Sequence, residues 1–203
     1  MMINDVDVVK IDDEVYSLAA FGSQVRCGGT NGIVAGTQFT ASGVDFTAAQ
    51  ISAGHVIALS AADGSIDGTF EIVSVIDSTH LTVSQIRTDP ADAAIAVGSA
   101  SGLTWSIKTL GPQMAAAEVE LSLKLELKPG KPDAEYALDE ALNTEVIREL
   151  LTLALLVRIY TVLYTTSTDA VVRDGYEKKR LWYSQHYERL LAMTHVELPA
   201  EEV

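Results

Sequence analysis

The sequence predicts an α+β chain. A small antiparallel β-barrel or sandwich module covers residues 1–109, a helical bundle of about three helices covers 110–193, and an acidic tail covers 194–203. Three observations predict this class. Eleven of the 14 glycines lie between Gly22 and Gly102. Within that stretch, short runs rich in β-branched and aromatic residues alternate with Gly-Gly, Asn-Gly, Ser-Gly and Asp-Gly pairs, the grammar of strands joined by tight turns. Beyond Gly111 glycine almost disappears, and Ala, Leu, Glu and Lys carry apolar residues at helical spacing.

Taken in order, the opening MMINDVDVVKIDDEVY is acidic and has neither a basic leader region nor an apolar one, so it is read as an extended arm rather than a secretion signal. Strands are expected at residues 24–27, 37–40, 55–59, 70–75, 81–86 and 103–107, with Asn31-Gly32 marking a turn. The segment Asp89-Pro90-Ala91-Asp92 breaks the chain before a weaker strand at 93–97. Ahead of the 70–86 hairpin, Asp63, Ser65, Asp67 and Gly68 imitate the start of a calcium loop. The loop's closing position falls on Ser74, which cannot supply the two carboxylate oxygens of a glutamate, so this stretch reads as a turn.

The first helix is a decision against periodicity. Val119 to Leu127 alternates strictly, as a strand would, but Met114, three alanines, leucines, Glu and Lys are helix formers and only Val119 is β-branched. On a helix, Val119, Leu123 and Leu127 make one apolar stripe and Met114, Ala117, Leu121 and Leu125 another, which predicts burial on two sides. Pro129-Gly130-Lys131-Pro132 ends it. A second helix is expected after Asn143 as N-cap, apolar on nearly every face from Val146 to Tyr164, with Glu145, Arg148, Glu149 and Thr152 on its wet side. Ser167-Thr168-Asp169 caps a third helix, residues 170–193. Its Val172, Tyr176, Tyr183, Tyr187 and Leu190 keep heptad-like spacing, broadened by Trp182 and Leu191.

Composition excludes several functions. The chain of 203 residues carries 14 Lys+Arg against 28 Asp+Glu, a net charge of -14, so its surface repels nucleic acid on average. The deficit is shared: residues 1–109 hold 4 basic and 12 acidic side chains, residues 110–203 hold 10 and 16. One cysteine, Cys27, excludes an intrachain disulfide and a cysteine-based zinc site, and four scattered histidines offer a thiol nucleophile no evident base. The run from Leu150 to Tyr164 is too short to span a bilayer and contains Arg158, which points to a soluble chain made in the cytoplasm. No nucleophile elbow, phosphate loop or paired-histidine zinc motif is present, and no catalytic residue or cofactor is expected.

The junction TWSIKTLGPQMAAAEVEL, the helix VIRELLTLALLVRIYTVLY and the aromatic helix DGYEKKRLWYSQHYERLL together resemble the head-tail adaptor (connector) proteins of tailed bacteriophages. Phe39, Asp45-Phe46, Gly54-His55-Val56-Ile57, residues 68–73 and Leu81-Thr82-Val83 resemble β-modules on phage neck and tail proteins. The resemblance implies a structural virion protein, made in the host cytoplasm and resident in the neck, forming a ring of about twelve copies beneath the portal. It implies contacts with the portal protein, with the tail or next neck protein and with other copies of itself, while genomic DNA passes through an acidic channel. The expected interface is Arg173, Tyr176, Lys178, Lys179, Arg180, Trp182, Tyr183 and Tyr187 on the last helix, with His195, Val196, Leu198 and Val203 beyond it. Two other readings are a tail-side completion protein and a ligand-binding β-module using Trp105, Phe39 and Phe46 as platforms.

Overall fold

The structure, a computed structural model, describes residues 2–18, 24–125, 127 and 138–196. It divides into two compact units, Asn4–Leu110 and Met1–Ile3 with Gly111–Val203. The chain is α+β: a closed six-stranded antiparallel barrel, then three long helices.

In the first unit, strands β1 (Val25–Gly36), β2 (Gln38–Thr40), β3 (Val56–Ser60), β4 (Asp67–Val75), β5 (His80–Ser84) and β6 (Gly98–Lys108) close in the order β1-β2-β5-β4-β3-β6. Closure leaves no sheet edge unpaired, which matters for strands this short and apolar. Alternate residues point inward: Ile57 and Leu59 from β3, Phe70 and Ile72 from β4, Leu81 and Val83 from β5, and Leu103, Trp105 and Ile107 from β6 are all buried in one core. The β4–β5 hairpin turns on Asp77, whose carboxylate accepts from the backbone N–H of Thr79 at 2.8 Å and of His80 at 2.9 Å.

Three expectations for this unit are corrected. Asn31-Gly32 is not a turn: β1 runs through it, with register shifts flanking Gly32. Glycine is needed there for space, since a Cβ would stand 2.8 Å from Phe39 Cε2 and 2.9 Å from Trp105 Cδ1. Residues 93–97 form no strand; isolated bonds hold them, Gln85 N–H to the Ile95 carbonyl at 3.1 Å, Ile95 N–H to Ser84 Oγ at 2.8 Å and Val97 N–H to the Gly36 carbonyl at 2.9 Å. Three of the five residues are alanine, a poor strand former, and of the other two Val97 packs on the barrel core while Ile95 lies exposed. The N-terminal segment is not an extended arm, because α1 (Asp5–Val9) and a 3₁₀ turn (Asp13–Tyr16) bury Val6, Val8, Val9, Val15 and Tyr16. Asn4 caps α1 in a reciprocal box with Asp7, at 3.2 and 2.9 Å.

In the second unit, α2 (Gly111–Lys124) confirms helix over alternating strand. Only one of its two expected stripes is covered: Met114, Ala117 and Leu121 are buried, whereas Val119 is 50% and Leu123 64% exposed. α3 (Thr144–Thr166) buries ten residues, from Ile147 to Leu163. Thr152, expected on the wet side, is among them, and its hydroxyl is satisfied by the Arg148 carbonyl one turn back at 2.9 Å. Asn143 precedes the helix without capping it through its side chain; its Nδ2 donates instead to the His195 carbonyl at 2.8 Å. α4 (Ala170–Met193) starts where its cap predicts, the Asp169 carboxylate accepting from Val171 and Val172 N–H at 2.8 and 3.1 Å. The three-residue link makes α3 and α4 an antiparallel hairpin, with Asn143 near His195 at one end and Tyr160 beside Tyr176 further along. No helix is long and apolar enough to cross a membrane among the described residues.

Candidate interaction surface on the last helix

The seam between α3 and α4 is built from tyrosine. Tyr160, fully buried, stacks on Tyr183 at 5.7 Å and leans on Tyr176 at 6.0 Å. Such rings supply apolar area and a hydroxyl that must be satisfied. Lys179 does this for Tyr160, its Nζ donating to the phenol oxygen at 3.1 Å while lying 5.2 Å from the ring centre. Lys124 of α2 treats Tyr187 alike, at 3.2 Å and 4.7 Å. The Arg180 guanidinium stands 5.5 Å over the Tyr164 ring.

This arrangement divides the residues expected at the interface. Tyr183 and Tyr187 are buried in the helical unit, and Lys179 and Arg180 serve tyrosines. The basic patch is therefore partly structural: the stems of Lys179 and Arg180 cover apolar rings, and their charges gain from the ring faces. Lys178 turns outward to Asp174 at 2.6 Å, and Arg173 is exposed. Tyr176 is half-buried against Tyr160. Trp182 is 51% exposed, its ring set edge-on 4.9 Å from that of Tyr183 and 4.2 Å from that of His186. His195 is exposed, Val196 half-buried, and Leu198 and Val203 lie outside the described residues. Large exposed apolar side chains that sequence reasoning did not single out stand on the same helix: Val171, Leu181 and Met193. For Val171 and Met193 the signal was available as positions eleven residues from Trp182, on its side of the helix and outside the tyrosine heptad. A groove of about 290 Å³ runs between α2, α3 and Tyr187, bordered by Arg158 with Glu120 at 3.2 Å.

The barrel presents fewer accessible groups. Phe39, Phe46 and Trp105 are not ligand platforms, because all three are buried and pack on each other, Trp105 lying 5.5 Å from Phe39 and 5.8 Å from Phe46. Asp63 makes the turn expected of it, its carboxylate accepting from the Ser65 N–H at 3.0 Å and hydroxyl at 2.6 Å, and these bonds hold it below its ordinary pKa. Burial pushes the Cys27 thiol up to about 11, the opposite of what a thiolate nucleophile needs. Among the described residues no three His, Cys, Asp or Glu side chains are grouped to hold a metal ion.

Two buried polar clusters escaped the sequence reading. Glu71 and Arg87 form a forked ion pair inside the barrel wall, at 2.6 and 3.1 Å, and the guanidinium also donates to the Asp92 carbonyl. Asp5, at the start of α1, accepts from the Tyr16 hydroxyl at 2.7 Å and the Leu110 N–H at 2.9 Å. Burial holds its carboxyl above the ordinary value, and burial lowers the His55 imidazole that faces it. Comparison of the chain with family models, curated proteins and solved structures returned no match.

Proposed function

We propose that the chain is a structural protein of a tailed-phage neck, an adaptor that joins the portal to the tail as a ring of copies. On this reading the three helices act as a bundle supplying the ring and portal contacts, and the barrel reaches the neighbouring layer. One observation carries the proposal. The helical unit leaves large apolar side chains uncovered on two helices, Val119 and Leu123 on α2 and Val171, Trp182 and Met193 on α4, and an assembly of many copies removes such surface from water. The charge balance is consistent with it, since a net charge of -14 lets DNA slide past rather than bind. No chemistry is assigned to the protein.

The test is mass. The purified chain is mixed with portal rings of its phage and weighed by native mass spectrometry. Addition of one stoichiometric layer supports the adaptor and counts its copies. A chain that ignores portals but adds to isolated tails moves it to a tail-side completion role, and one that joins neither overturns the neck reading.

A further inference from the structure

The outward face of α4 carries a line of residues that the tyrosine seam leaves exposed, Trp182 touching it only through an edge-on contact with Tyr183. Val171, Gly175, Lys178, Trp182, Arg189 and Met193 follow one another in steps of three, four or seven, which places them on one side of the helix. The line has a centre. Trp182 stands midway, eleven residues from Val171 and from Met193, and seven from Gly175 and from Arg189. Val171 and Met193, 82% and 71% exposed, are the two most exposed large apolar side chains among the described residues.

A helix face with that spacing is complementary to itself turned end for end. In an antiparallel pair, Val171 of one copy meets Met193 of the other, the two Trp182 rings meet at the axis, and Arg189 approaches Asp174 across the interface. Gly175 falls opposite Arg189 of the second copy. Glycine weakens a helix interior, and among the described residues no atom outside its own turn of helix lies within 4 Å of where its Cβ would stand, so packing against them does not demand it. Opposite a long side chain it leaves room. Asp174 already accepts from Lys178 of its own helix at 2.6 Å, and a carboxylate has acceptor sites for a second cation.

We propose that two free copies of this chain pair through α4, antiparallel about a two-fold axis at Trp182. Elsewhere two chains of net charge -14 repel, so the pairing depends on the face where acid meets base. A two-fold contact closes on itself and cannot extend into a ring, so the pair is a state of the free chain and does not rest on the neck reading. If both hold, the pair must open before Trp182 can serve a ring.

Sedimentation of the full chain over a range of concentrations reads the pairing directly. The expected mass is twice that of one chain. Arg189→Asp and Asp174→Arg, both at exposed positions, should each raise the dimer Kd by about tenfold or more, and the two changes together should restore it to within about threefold. In a Cys27→Ser background, a short bis-maleimide should join Val171→Cys chains to Met193→Cys chains more readily than like to like. A chain that stays monomeric, a dimer indifferent to the charge changes, or like-to-like crosslinking overturns the proposal.

Discussion

Glu71 and Arg87 share the wall of the barrel, and neither can lose its partner without leaving a buried charge alone. Glu71→Gln should destabilise the barrel by about 3–5 kcal/mol, whereas replacing both residues with apolar side chains of similar size should cost much less; urea unfolding of the single and double variants checks the difference. Acid acts on single residues with opposite signs. Asp77, held down to about 2 by the Thr79 N–H and the other donors in its turn, adds stability above the unfolded value of 3.8 that is lost as pH falls toward 2. Asp5 is raised by burial, so its cost is absent below 3.8 and is incurred as pH rises through its folded pKa. His55, lowered by burial, favours folding above 6.5 and works against it as pH falls below. Asp5→Asn should therefore make the barrel more stable at pH 7 relative to pH 4 than the unmodified chain is, read from urea midpoints at the two pH values. Pairings such as Asp5 with Leu110 could not be foreseen, because they join residues 105 positions apart and leave no local pattern.

Elements were legible in proportion to how local their determinants are. α4 begins at the residue its Asx cap indicates, because a carboxylate two or three residues from free N–H groups needs nothing distant. α2 was legible from composition once propensity was weighed against alternation. β1 was misread because Gly28, Gly29 and Gly32 spell a turn locally, while Gly29 and Gly32 admit the Trp105 and Phe39 rings from other strands and Gly28 lets the backbone of β6 approach. Gly32→Ala forces a methyl into those rings and should destabilise the barrel by about 1–3 kcal/mol, with a weakened near-ultraviolet tryptophan signal as the check. The same principle explains the interface: tyrosine spacing identified which face of α4 carries rings, but only the position of α3 shows that Tyr183 and Tyr187 turn inward and Trp182 outward.

For the whole molecule, the change of grammar near residue 110 coincides with the division into two units, since glycine-rich turns and helix formers cannot be interleaved in one element. The first unit has its own core and its own closure, so a fragment of residues 4–110 should unfold in a single cooperative transition with a β-type circular dichroism spectrum. Loss of cooperativity in the fragment would show that this core is insufficient alone.

The pairing of β1 with β6 also sets an order in time. A ribosome adds about 5–20 residues each second, so the partner of Val25 emerges roughly 4–17 s after it. Through that interval the end of the first strand can pair with β2, through Ile33, Val34 and Ala35, while its residues 25–32 wait for β6, exposed to chaperones and to other unfinished chains. The barrel becomes safe only when Lys108 arrives, and the Leu110 N–H that then reaches Asp5 fastens the oldest segment of the unit to its newest.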